Sequence, residues 1–215
     1  MLVAQVRQMR GMTMIELAVT MVILALLLVG AGPSIGAWMR NTQVRNTASS
    51  MLAGLNRARN EAMRRNVPIR FSLVSLANSA LMGSSCALSD TGVSWVVSVR
   101  DPASNCQYAP ASVASDAADP MIVETNAGGV GGKNVVVAAR LADNSAGANT
   151  VTFNAFGRVA DAAPIAFINV SNDVAGNDFR RLRIEIGNGG TVRMCDRAIA
   201  STTDPRHCPT TLSYP

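Results

Sequence analysis

The stretch Arg10-Gly11-Met12-Thr13-Met14-Ile15-Glu16-Leu17, with the uncharged run that follows it to Ala37, decides the architecture. Leu17 to Ala37 is 21 residues without a charge, and only Thr20 and Ser34 carry hydroxyls. As a helix that run rises about 30 Å, enough to cross a bilayer. Arg7 and Arg10 precede it, and Glu16 stands at its edge. A charged group at the centre of a membrane helix costs roughly 2.5–3.5 kcal/mol on insertion scales, less near the edge. A cleaved secretory signal, cut near Ala31 or Ala37, gains nothing from that acid, and neither does a plain signal anchor. The third reading is a leader cut on the cytoplasmic side, before the apolar run. Cleavage after Gly11 gives Met12 a positive α-amine one helical turn from Glu16. A neighbouring subunit's amine then pairs with Glu16 in apolar surroundings, which gives the acid a named partner.

The rest of the chain reads as a β-rich domain on the continuation of this helix. Val44, Ala48, Met51, Leu52, Leu55, Ala58 and Ala62 recur at helical spacing up to about Asn66, and Pro68 ends the pattern. That apolar stripe needs cover, most simply a sheet. Glu61 and Arg65 form an i,i+4 pair in the favoured order. Beyond Pro68 the period changes. Strands are predicted at 69–74, 94–100, 135–140, 150–154, 165–170, 182–186 and 191–195, rich in Val, Ile, Phe and Thr. Gly187-Asn188-Gly189-Gly190 marks a hairpin between the last two. The spacing fits an antiparallel sheet or small sandwich rather than a βαβ sheet. Segments 77–93 and 101–125 read as loops of an exposed insertion.

Charge and cysteine usage narrow the class. The net charge of +5 is local: residues 12–70 carry seven Arg against Glu16 and Glu61, while residues 71–215 are net −2. The chain therefore has no basic globular domain of the generic nucleic-acid-binding kind. The four cysteines, Cys86, Cys106, Cys195 and Cys208, include no C-x-x-C pair. An even count suits two disulfides in an oxidising compartment, and sequence order suggests Cys86–Cys106 and Cys195–Cys208 among three possible connectivities. The basic residues Arg40 and Arg45 just after the apolar run leave the positive-inside rule without force, so the cysteines place the C-terminal part in the periplasm.

The Arg10–Leu17 stretch resembles the class III signal of type IV pilins and type II secretion pseudopilins. The resemblance implies cleavage between Gly11 and Met12 by a prepilin peptidase, methylation of the Met12 amine, and a role for Glu16 in subunit docking. Pro33 falls where many pilins carry a helix-kinking proline. Residues 52–62, the Arg64-Arg65-Asn66-Val67-Pro68-Ile69 step and Phe153-Asn154-Ala155-Phe156-Gly157-Arg158-Val159 are similar to the FimT/GspH type of minor pilin and pseudopilin. The implied fold is α+β, pilin-like: a long Pro-kinked transmembrane helix packed on an antiparallel sheet or small sandwich. The implied organisation is a leader at 1–11, a membrane or filament-core helix at 12–38, its amphipathic continuation at 39–66, and a periplasmic domain at 67–215. The protein is then a single-pass inner-membrane subunit that also enters a filament. Its partners are the peptidase, other pilins and an inner-membrane assembly platform.

Enzymatic readings fail on inventory. The sole histidine, His207, lies in the tail without an evident nucleophile partner, and nothing calls for a metal or cofactor. Gly128-Gly129-Val130-Gly131-Gly132-Lys133-Asn134 lacks the first glycine of a P-loop and the Ser or Thr after its lysine, so it reads as a flexible loop. The arginines at 57, 59, 64, 65 and 70 read as a solvated or subunit-pairing helix face. DNA capture is the alternative function. Some FimT-type pilins bind DNA through a C-terminal Gly-Arg-x-Arg motif, matched here by Gly190-Thr191-Val192-Arg193 with its first arginine replaced. Arg180, Arg181, Arg183, Arg193 and Arg197 would then line phosphates without reading bases. A secreted soluble binder is the second alternative. The sequence does not choose between a type IV pilus and a type II secretion pseudopilus.

Overall fold

The computed structural model describes residues 11–129, 132–176 and 178–209, with the side chains of 29–34 outside that description. The chain divides into two units, Met1–Trp38 and Met39–Pro215. One helix, α1 (Met14–Arg65), contributes to both. In the first unit its large apolar side chains have no cover: Met14, Ile15, Leu26, Leu27 and Leu28 are each more than 60% exposed. Among the described residues, no helix is long and apolar enough to cross a membrane. The uncharged run extends into 29–34, so the expected Pro33 kink and six of the run's 21 residues lie outside the described side chains.

In the second unit the helix stripe is the buried face. Val44, Ala48, Met51, Leu55, Ala58 and Ala62 are fully buried, and Leu52 is partly so. Met51 and Leu55 alone each contribute roughly 2 kcal/mol by removal from water. The helix ends at Asn66, which takes a left-handed conformation (φ 56°), an ending Asn tolerates. Val67 and Pro68 then lead into the first strand.

Among the described residues nine strands follow: β1 (Ile69–Ser75), β2 (Ala87–Leu88), β3 (Ser94–Ser98), β4 (Ile122–Asn126), β5 (Val135–Arg140), β6 (Thr150–Phe153), β7 (Phe167–Asn172), β8 (Arg181–Ile186) and β9 (Val192–Asp196). They form two antiparallel sheets. The first has the order β2-β1-β3-β4, with β6 also paired to β1; the second has the order β5-β7-β8-β9. Both present alternate residues to the helix, the period-2 consequence of the pleat. Phe71 and Leu73 of β1, Trp95 and Val97 of β3, Phe153 of β6, Val137 of β5, Ile168 of β7 and Ile184 of β8 share one core with the helix stripe. Trp95 donates its indole N–H to Ser50 Oγ (3.0 Å), which fixes the helix over β3.

The segments expected to be exposed loops require correction. Residues 77–93 contain β2, and residues 101–125 contain most of β4. Together they cover the far face of the first sheet. Val74, Val96 and Ile122 are buried there with the Cys86–Cys106 bond, and Leu88 and Tyr108 pack against them. The insertion is thus the lid of a second, smaller core. A bridge closing a loop of 20 residues contributes on the order of 3 kcal/mol. β4 escaped the sequence pattern because its pairing shifts register between Val97 and Ser98. Ile122 and Val123, adjacent in the strand, point to opposite faces of the sheet and so enter different cores.

Candidate functional site

The helix start is built by its own first residues. Thr13 Oγ1 accepts the backbone N–H of Glu16 (3.3 Å), and the Thr13 carbonyl accepts that of Leu17 (3.1 Å). Thr13 is therefore the N-cap, and Glu16 occupies the first turn, where the helix dipole favours an acid. Thr-x-x-Glu is the spacing of a capping box, a signal present in the sequence and missed there. Glu16 is exposed, and its carboxylate makes no hydrogen bond or ion pair among the described residues. Met12 is 68% exposed beside it. Gly11 and Met12 are described, while leader residues 1–10 lie outside the described residues.

The arginines at the far end of α1 hold the subunit together. Glu61, almost fully buried, accepts from Arg64 (2.6 Å) and Arg65 (2.7 Å) and lies 3.4 Å from Arg57, which also reaches Glu124 of β4. The Arg64 hydrogen bond first, then that of Arg65 and the charge of Arg57, outweigh burial and hold the Glu61 carboxyl at about 2, below the usual carboxylate range. This contribution is fully present above the unfolded-state pKa and is lost as pH falls from there through about 2. Glu61→Gln is expected to lower stability at pH 7 by about 2 kcal/mol, or roughly 4–8 °C in melting temperature. The gap between variant and parent should shrink in melts at pH 2.5; an equal gap at both pH values would contradict the assignment. Arg70 pairs with Asp101 (3.6 Å).

Arg59 serves a different junction. Its Nε donates to the Gly157 carbonyl (3.2 Å), so α1 is tied to the turn after β6. Gly157 (φ 72°) and Gly190 (φ 80°) both use the left-handed region, and a Cβ on Gly190 would collide with the Gly157 carbonyl oxygen. The backbone N–H of Val159 also donates to the Asn188 carbonyl (3.1 Å). Helix, Phe-x-x-x-Gly-Arg turn and β8–β9 hairpin therefore interlock at one point. The Gly190 of the DNA-motif match has a packing reason to be glycine.

The five arginines of the DNA reading lie in and beside β8 and β9, in unequal states. Across the outer face of the second sheet, Phe167, Glu185 and Arg193 are in register, as are Asn169, Arg183 and Cys195. Arg193 donates twice to the fully buried Glu185 (2.8 and 2.7 Å). The other Glu185 oxygen has no hydrogen-bond partner among the described residues. The Glu185 carboxylate and the sulfurs of Cys195 and Cys208 lie within 4.8 Å of one another, and those sulfurs form a disulfide. Arg183 stacks on Phe167 (4.5 Å to the ring centre) and donates to Asn169 (2.9 Å); burial pushes its guanidinium pKa down. Arg180, Arg181 and Arg197 are exposed and have no ion-pair partner among the described residues. His207 contacts the Ile199 carbonyl through Nδ1 (2.8 Å) within the tail turn. The glycine-rich stretch falls partly outside the described residues, at 130–131; Gly128 N–H donates to Ser94 Oγ (2.9 Å).

The prokaryotic N-terminal methylation motif matches residues 6–32. Type IV minor pilin FimU of Pseudomonas aeruginosa (strain PAO1) is similar in two crystal forms. One has a TM-score of 0.41 at 13% identity, covering 73% of this chain and 91% of that one. The other has a TM-score of 0.38 at 14% identity, covering 70% and 90%. A search of curated protein sequences gave no match. The family of type II transport protein GspH matches residues 47–202, from the buried stripe of α1 to beyond the β8–β9 hairpin, and the chain belongs to that family of minor pilins and pseudopilins.

Proposed function

We infer that this protein is a structural and assembly subunit of a pilus or pseudopilus, inserted as a prepilin and cut after Gly11 by a prepilin peptidase. Its apolar helix then passes from the inner membrane into a helical bundle, with the β domain in the periplasm. The observation that carries this reading is the start of α1: an exposed, unpartnered Glu16 beside Met12, at the head of an uncovered apolar surface. Contiguous exposed apolar surface of this kind marks a membrane or protein contact. Methylation of the new Met12 amine keeps it basic, so it remains a partner for the Glu16 of an adjoining subunit.

Shearing filaments from the native host and probing the sheared fraction tests the reading. The protein is expected there in small amount and without residues 1–11. Recovery of all of it as free soluble protein would support the secreted-binder alternative. DNA capture gains little from the arginine geometry. Arg193 neutralises a buried carboxylate, so its loss unsettles the fold as well as any binding. Arg181→Ala and Arg197→Ala are the cleaner variants for a mobility-shift assay.

A further inference from the structure

A cleft between α1 and the edge strand β9, distinct from the outer arginine face, has a volume of about 260 Å³ and is walled by Arg45, Arg180, Arg206, Leu182, Met194 and Asp196. We propose that this cleft receives a carboxylate side chain presented by an adjoining subunit of the same filament. The proposal rests on the filament reading above.

Four observations support it. Arg45 and Arg180 are exposed, and neither has an ion-pair partner among the described residues. Arg45 and Arg180 both line the cleft, and a guanidinium fork suits a carboxylate. Arg206 is already shared with Asp204 (2.8 Å), and the wall's acid, Asp196, accepts the Ala198 N–H (2.9 Å). With Asp196 counted against Arg45 and Arg180, the cleft keeps an excess of one positive charge, carried by those two arginines. Leu182 and Met194 supply an apolar wall, since both belong to or pack against the helix-facing core. A carboxylate on a methylene stem satisfies both parts at once. The size decides against a nucleic-acid strand. The cleft is smaller than the ~300–1,000 Å³ of pockets for drug-sized ligands, and concave. A phosphate backbone needs an extended track, and Arg183 and Arg193 lie on the other face of the sheet, engaged with Asn169 and Glu185. Arg45 also lies on the helix that carries the uncovered apolar surface.

The test uses the full chain in detergent micelles, with arginine Nε–Hε resonances followed by NMR. Propionate, the stand-in for an acidic side chain, is expected to shift Arg45 and Arg180 saturably, with a midpoint of about 1–10 mM. Arg45→Gln/Arg180→Gln should abolish saturation without changing the melting temperature. In the native host that double variant should keep its membrane level and its N-terminus, while its filament-associated share falls at least threefold. No shift, or an equal response of every arginine, overturns the proposal. So does a response to a single-stranded 12-mer oligonucleotide but not to propionate, which would mark the cleft as a nucleic-acid site. Normal filament entry of the double variant overturns the subunit contact alone. Absence of the parent chain from filaments would instead overturn the filament reading on which the proposal stands.

Discussion

Glu16→Ala is expected to leave leader removal intact and to reduce the filament-associated share of the protein about tenfold. The proposed cleavage is at the Gly11–Met12 bond, which the substitution leaves unchanged. What it removes is a carboxylate placed in the first turn of α1 with no partner of its own. Once apolar helices bundle, that acid and a neighbour's amine attract each other in surroundings less polar than water. About 1.4 kcal/mol of pairing is enough for a tenfold change in occupancy, and partly buried pairs exceed that value. Loss of the first-turn acid also weakens the dipole contribution, by about 0.3–1 kcal/mol. Immunoblots of membrane and sheared fractions would read the ratio directly. Glu16→Asp should restore part of it, since the charge survives and only its reach is shortened. Parent-like entry of Glu16→Ala would remove charge pairing from the mechanism.

Gly190→Ala is expected to destabilise the β domain by about 3–4 kcal/mol. A residue with a Cβ in the left-handed region costs roughly 1–2 kcal/mol. The new methyl would also overlap the Gly157 carbonyl oxygen, a backbone atom already holding Arg59, and relief requires moving the turn or the hairpin. Overpacking of that kind adds about 1–3 kcal/mol. The melting temperature should fall by roughly 6–16 °C, since each kcal/mol corresponds to ~2–4 °C at this size. Gly189→Ala provides the control, because a Cβ there meets nothing within 4 Å. Thermal melts by circular dichroism on the pair would decide: equal melting temperatures would show that the three-way junction is not stabilising. The junction also joins the Phe-x-x-x-Gly-Arg turn and the β8–β9 hairpin to α1.

Much of this fold was legible in the sequence because its signals are periodic. The Val44–Ala62 stripe follows the 3.6-residue period, and those residues are the ones that face both sheets. The run at 135–140 is rich in Val, Leu182-Arg183-Ile184-Glu185-Ile186 alternates in sequence, and the glycine-rich hairpin between β8 and β9 is strong local turn chemistry. β2 and β4 were not legible: one is two residues long, and the other is paired across a register shift. The second core could not be foreseen, since its members come from both cysteine-bearing segments and from the far face of β1 and β3. Ion pairing was only half visible. Glu61 and Arg65 stood at helical spacing, but the convergence of Arg57 and Arg64 on the same carboxylate depends on its burial. The sequence offered Glu185 as a partner for the hairpin arginines, and strand register places it opposite Arg193. At the helix start, the Thr13 cap is legible in the Thr-x-x-Glu spacing.

Mass spectrometry of the protein from its native host tests the central claim most directly, because the filament mechanism requires a freed amine at one position. The account predicts a chain that begins at Met12 and carries a methyl group on its α-nitrogen. A chain that still begins at Met1, or one trimmed near Gly32, would contradict it.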